Sequence, residues 1–208
     1  MSCNLRNVKK ILYALQRSAE MRFAMRNEKL QKVVLTGLFA ALSYAVFTVC
    51  NLFFRIPLPG GSAVTIHIAN AVCVIGALLL GGFYGGIGGA IGMTISDLFD
   101  PVYVIYAPKT FICKLCIGLI AGLIAHKIGH ITTETDTKKV RRFVILASVC
   151  ALGFNIFLDP VLGYFYKILI IGKPAAEVAL KFDLVFTTLN AVISAIISVV
   201  VYMGLRPT

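Results

Sequence analysis

The chain has 208 residues, 59% of them apolar and only 14% charged, with a formal net charge of +11. Soluble domains carry about 25% charged residues, so an ordinary soluble domain is excluded; at roughly 20 apolar residues per spanning helix, there is room for about six spans. The charge does not mark a nucleic-acid binder. Eight of the 20 Lys and Arg fall in residues 1–32, five in 127–142 and one at Arg206, segments that a six-span arrangement puts on one side, as the positive-inside rule requires.

Residues 1–32 form a basic, polar segment ahead of a membrane domain over 33–208. No apolar core follows early enough for a cleavable signal peptide. The segment reads as a loose cytoplasmic tail, or as a start placed too early, with Met21 or Met25 the true initiator. The competing reading is an amphipathic helix lying on anionic lipid.

Span one covers residues 33–54 and carries Gly37, Ala41 and Ala45, a small residue at every fourth position. That spacing makes a flat strip where another helix can approach closely, in the same subunit or a partner. Two prolines and two glycines mark residues 55–66 as a first outer loop of turns. Span two, 67–80, is short and opens with His67 and Asn70. A glycine-rich inner turn, 81–86, leads to span three, 87–99. The glycines lack the spacing and the preceding strand of a phosphate loop. Gly81/Gly85/Gly89 and Gly88/Gly92 instead fit close packing of helices two and three.

A second outer loop, 100–107, holds Asp100, Tyr103 and Tyr106, and Pro108 suits the first turn of the helix that follows. Span four, 109–128, has Lys109, Thr110 and Lys114 in its first turns. A charged inner loop, 129–142, precedes span five, 143–171, which is too long for one straight crossing. Asp159-Pro160 is expected to break or kink it. Tyr164 and Tyr166 fit an aromatic belt. A third outer loop, 172–177, and span six, 179–205, complete the chain, with both termini inside.

The polar residues within these spans favour one depth. Lys114 lies five residues after Lys109, roughly 8 Å deeper. Asn155 and Asp159 share a face of span five, and Asn190 sits about 16 Å into span six. Asp97 ends span three. Charges at membrane depth are expensive and are functional by default. A water-accessible site open to the outside would solvate these groups. Asp97, Lys114, Asn155, Asp159 and Asn190 would supply polar contacts, with Tyr103, Tyr106 and Tyr164 for stacking, a mixture suited to a small polar aromatic molecule. The plainer alternative pairs Asp97 or Asp159 with Lys114 to join helices.

Rival constellations are weak. Cys113 and Cys116 lie in an apolar span without the context of a redox motif. The six cysteines, at 3, 50, 73, 113, 116 and 150, imply no disulfide framework. His126 and His130 lack a third metal ligand, and no nucleotide or hydrolase motif is present.

Over residues 30–205 the chain resembles the substrate-binding S components of energy-coupling factor (ECF) transporters, bacterial vitamin importers. The resemblance is strongest in HIANAVCVIGALLL from His67, in GGFYGGIGGAIGMTISDLF from Gly81 and in YAPKTFICKLCIGLIAGLI from Tyr106. It looks nearest the branch for riboflavin, hydroxymethylpyrimidine and vitamin B6. The resemblance implies an all-α integral membrane protein of six transmembrane helices, with N and C termini cytoplasmic in the bacterial plasma membrane. One water-soluble vitamin would bind near the outer face. The family's alanine-x-x-x-alanine motif matches Ala41 and Ala45, extended here by Gly37, and would dock on a transmembrane T subunit. Two partner ATPases would use the ATP and drive toppling; the chain itself would need no cofactor and no metal, and would not be an enzyme. A pyridoxine, pyridoxal or hydroxymethylpyrimidine type of substrate is favoured, with riboflavin the nearest rival. The competing classes are a membrane enzyme using Asp97 and Asp100, and an assembly protein whose polar groups only join helices.

Overall fold

A computed structural model describes residues 5–58, 62–172 and 176–206. Parts of the expected first and third outer loops, residues 59–61 and 173–175, lie outside the described residues, as do the first four and last two positions. Residues 1–35 form one unit and Thr36–Thr208 a second.

Six helices and one small hairpin make up the described chain: α1 (Leu5–Phe53), β1 (Arg55–Leu58), β2 (Ser62–Thr65), α2 (Ala69–Leu80), α3 (Gly82–Leu98), α4 (Ala107–Gly122), α5 (Thr137–Tyr166) and α6 (Ala176–Leu205). A single 3-10 turn, Val104–Tyr106, precedes α4, and π-helical turns extend α4 over Leu123–Ile128 and α5 over Lys167–Ile171. Four segments are long and apolar enough to cross a membrane: Asn27–Phe53, Val104–Ile128, Thr137–Ile170 and Leu180–Leu205. Their outward faces stay apolar: Phe157 is 71% exposed and Leu169 76%. Such faces suit lipid and not water.

The core is built around α2. Ten successive residues, Ala69 to Leu78, are buried, and α3, α4, α5 and α6 all pack on it. A helix that is apolar all round belongs inside a bundle. At 12 residues it is only about 18 Å long, and α3 has 17 residues, so both fall short of a bilayer core of about 30 Å.

The expected six-residue inner turn is instead one residue. Gly81, at φ 92°, separates α2 from α3, and Gly82 to Gly86 already belong to the helix. The glycines are there for proximity, not for turning. A Cβ on Gly85 would overlap the backbone of Gly76 and Ala77, and one on Gly118 would overlap Gly86. Thus Gly85 seats α3 on α2, while Gly82 and Gly86 seat it on α4. Gly88 and Gly92 face Thr36, Ala40 and Ser43 of α1, not α2.

Three other boundaries differ from expectation. The first outer loop is an antiparallel hairpin in which Arg55 pairs with Thr65 and Pro57 with Ala63; a two-stranded ribbon is all edge, where proline is tolerated. The charged inner loop ends sooner, because Asp136 caps α5 by accepting from Lys138 N at 2.9 Å. And α5 runs on through Pro160 to Tyr166. Proline removes one backbone donor, yet the helix continues through it, tied to α4 by the Lys109 ammonium, which donates to the Asp159 carbonyl at 3.5 Å.

Candidate functional site

The hairpin follows the C-terminal end of α1 and precedes α2, and its second strand packs on α6. Several side chains strap it down. Arg55 pairs with Asp100 and lies 5.0 Å from the centre of the Tyr103 ring. The Tyr103 hydroxyl meets Thr65 Oγ1 at 2.9 Å. From α6, Asn190 uses both ends of its carboxamide: Oδ1 accepts from His67 N at 3.0 Å, and Nδ2 donates to Thr65 O at 2.9 Å.

Beneath the hairpin is a cavity of about 110 Å³. Of the eight residues expected to bind substrate, six line it: Asp97, Tyr103, Tyr106, Lys114, Asp159 and Asn190. Asn155 and Tyr164 do not; Asn155 is buried with Oδ1 unpartnered, and Tyr164 rests against Phe165. Tyr106 packs on Tyr166 with ring centres 6.0 Å apart. Sequence reasoning did not assign to the site Asn51, His67, Lys109, Lys167, Asp183 or Phe186, which also line it. The signal for Asn51, Lys167 and Asp183 was present: each is a polar group inside or beside an apolar run.

The polar groups divide into committed and free. Lys109 Nζ lies 3.3 Å from Asp159 Oδ1, and Lys167 pairs with Asp183. Asn190, Tyr103 and Thr65 are committed to the hairpin. The Lys114 ammonium, on a residue 5% exposed, makes no hydrogen bond or ion pair among the described residues. Asp97 Oδ1, His67 Nδ1 and both amide atoms of Asn51 are buried and have no hydrogen-bond partner among the described residues. Buried polar groups are normally satisfied, so a wall with four such groups around one cavity is built to meet something polar. Among the described residues no close ion pair joins Lys114 to Asp97 or Asp159; Asp159 pairs with Lys109.

At the opposite end, Lys127, Lys138, Lys139, Arg141, Arg142 and Arg206 gather around the α4–α5 connection and the end of α6. Lys139 Nζ lies 2.5 Å from Glu134, holding that carboxyl below the usual range, and Arg206 donates to the Glu134 carbonyl at 2.6 Å. His126 bridges the Thr132 hydroxyl and the Ala77 carbonyl, a structural use of both its nitrogens. Among the described residues no three metal-ligating side chains gather, and Cys50, Cys73, Cys113, Cys116 and Cys150 are free thiols.

The family model described as the ECF-type riboflavin transporter, S component, matches residues 27–207. The chain belongs to this family of S components. In a comparison with curated proteins, none matches the chain. As an S component it is a multi-pass membrane subunit of a transporter and not an enzyme, and S components of ECF transporters associate with T and ATPase subunits. On this S component the strip of Gly37, Ala41 and Ala45 is exposed on α1, and nothing within 4 Å would meet a Cβ on Gly37.

Proposed function

We propose that the chain is the vitamin-binding subunit of a bacterial ECF importer and takes its substrate into the cavity under the hairpin. The observation that carries this is a set of buried atoms without a hydrogen-bond partner among the described residues, Asp97 Oδ1, His67 Nδ1 and both amide atoms of Asn51, beside a Lys114 ammonium outside any ion pair, on residues lining one cavity walled by Tyr103, Tyr106 and Phe186. Aromatic walls with a few convergent polar groups are what small heteroaromatic ligands require. In this reading Lys114 and Asp97 touch the vitamin. Asp159 and Asn190 shape the wall through their own partners, while Asn155 and Tyr164 do not line it.

A single-ring vitamin of the pyridoxine, pyridoxal or hydroxymethylpyrimidine type is the lead. At about 10–15 Å³ per water-sized group, a cavity of about 110 Å³ has the scale of one substituted ring. Riboflavin is the second reading, favoured by the description of the matching family; its fused rings would need the hairpin to lift.

The six-helix bundle sits in the bacterial plasma membrane, with α2 and α3 too short to span it alone, with the hairpin outside and both termini in the cytoplasm, supported by the basic cluster at the far end. Residues 1–32 remain a cytoplasmic segment and 33–208 the membrane domain. Gly37, Ala41 and Ala45 dock on the T subunit. Two ATPase subunits then drive toppling in the bilayer, which carries the site to the cytoplasmic side. No cofactor, metal or nucleic acid enters this scheme. Mass spectrometry of the small molecule released from the purified protein tests it. A stoichiometric vitamin is expected; protein that neither carries nor binds any of these compounds would refute it.

A further inference from the structure

The end of the bundle away from the hairpin carries positive charge that the chain itself does not neutralise. Residues 127–142 hold five Lys or Arg and two acids, and Arg206 joins them at the end of α6, six cations against two anions. Both acids are already engaged. Glu134 holds Lys139, and Asp136 caps α5 by accepting from the Lys138 backbone N–H. The side chains of Lys138, Arg141 and Arg142 are exposed and form no ion pair among the described residues. Like charges about one helical turn apart repel, so this trio costs stability unless an anion from outside the chain offsets it.

The same face of α5 turns apolar one turn further along. Positions 138, 141, 142, 145, 146 and 149 follow the spacing of a single helix stripe. Ile145, Leu146 and Val149 are 44%, 47% and 55% exposed, whereas Val140, Val144, Ala147 and Ser148 on the opposite side are buried in the bundle. From Arg142 to Val149 the stripe rises about 10 Å. We infer that it is a binding site for an anionic phospholipid, with the phosphodiester headgroup on Lys138, Arg141 and Arg142 and an acyl chain along Ile145, Leu146 and Val149. The order of cations and then aliphatic side chains along one face is the order of headgroup and chain in a lipid. Arginine's planar fork suits phosphate oxygens, and basic clusters beside a spanning helix attract anionic lipid. An acidic protein partner or a free phosphate would answer the cations alone. Neither accounts for the aliphatic half, which lies inside the apolar segment Thr137–Ile170. The inference holds for either orientation of the bundle and does not depend on the vitamin.

The test uses the full-length chain, purified in detergent and examined by native mass spectrometry with equimolar phosphatidylglycerol and phosphatidylcholine of the same acyl chains. A basic residue beside an anionic lipid is worth about 5-fold in binding, so three of them predict a preference for phosphatidylglycerol of roughly 100-fold. The variant Lys138→Gln, Arg141→Gln, Arg142→Gln should lose most of that preference. Should it not fold, Arg142→Gln alone should lower the preference about 5-fold, and no change there counts against the site. Ile145→Ser with Val149→Ser should weaken retention of both lipids. A control variant, Lys9→Gln, Lys10→Gln, Arg17→Gln, makes the same change in net charge elsewhere and should keep the preference. Equal retention of the two lipids by the unaltered chain overturns the inference. So does a control variant that loses the preference equally, which would mean total charge and not this stripe. Inorganic phosphate that displaces phosphatidylglycerol at the lipid's own concentration would reduce the site to a phosphate site and overturn the lipid. Uptake by cells that is lost in the Gln variant, with no lipid preference in the unaltered chain, would assign the stripe to an acidic protein instead.

Discussion

Asn190 offers the sharpest test of how the hairpin is held. Asn190→Leu keeps the side chain's size and removes both of its hydrogen bonds, to Thr65 O and from His67 N. Asn190 is 4% exposed, so water cannot readily replace the lost partners. Two neutral hydrogen bonds contribute about 1–3 kcal/mol together, and leaving their buried backbone partners unsatisfied raises the cost to roughly 2–4 kcal/mol. For a chain of this size that corresponds to a fall in melting temperature of about 5–15 °C. The effect should be local first. Amide hydrogen exchange of residues 62–67 should accelerate while that of α2 changes little, and bound vitamin should dissociate faster with its association rate nearly unchanged. Tyr103→Phe removes a second strap on the same strand, from the Tyr103 hydroxyl to Thr65. The double variant should cost less than the sum of the two, because one freed hairpin cannot be freed twice. Unchanged exchange in 62–67 after Asn190→Leu would show that the carboxamide does not secure the hairpin.

Other expectations follow from the same geometry. Asp159→Leu strands the Lys109 ammonium and should destabilise the protein by about 3–5 kcal/mol in a detergent melt, whereas adding Lys109→Met should restore most of that loss; equal melts for the single and double variants would contradict the pairing. Gly85→Val should abolish folded protein, since its Cβ meets the α2 backbone, while Gly37→Ala should fold normally, with nothing within 4 Å of its Cβ; elution of both on size-exclusion chromatography checks this. Ala41→Trp should eliminate vitamin uptake by cells and leave vitamin binding by the purified protein intact; persistent uptake would show that the partner docks elsewhere.

The helical plan was legible because long apolar runs have few alternatives, and the small-residue strip on α1 and the lysines opening α4 followed from spacing alone. Apart from the start of α5, set by the Asp136 cap, the misplaced boundaries share one cause: the local tendencies of glycine and proline do not decide these positions. Gly82, Gly85 and Gly86 sit within a helix where α2 and α4 crowd the place of a Cβ, a fact about neighbours and not about the residues themselves. Pro57 sits in a strand because a hairpin has only edges, and Pro160 is carried within a packed helix. The site followed the same pattern. That polar groups such as Lys114, Asp159 and Asn190 belonged at one end could be read from their positions along the helices. Which of them were already engaged could not, because Lys109 meets Asp159 across 50 residues and Asn190 reaches Thr65 across 125. Asn190 and Asp159 thus emerge as partners of other protein groups, while Asn51 and His67, passed over in the sequence, are among the groups left open.

The buried α2 has a consequence for how the protein is made. Twelve mostly apolar residues are too few to halt in a bilayer, and ten of them in succession present no face to lipid. Such a segment cannot be selected for insertion by its own partitioning. With a single glycine joining it to α3, the two helices enter as one unit, and α2 reaches its place only when α4, α5 and α6 close around it. A chain arrested after α3 would therefore carry α2 without its seat, and the cavity under the hairpin, which needs Lys114 of α4, Asp159 of α5 and Asn190 of α6 for its lining, is completed at the end of synthesis and not along the way.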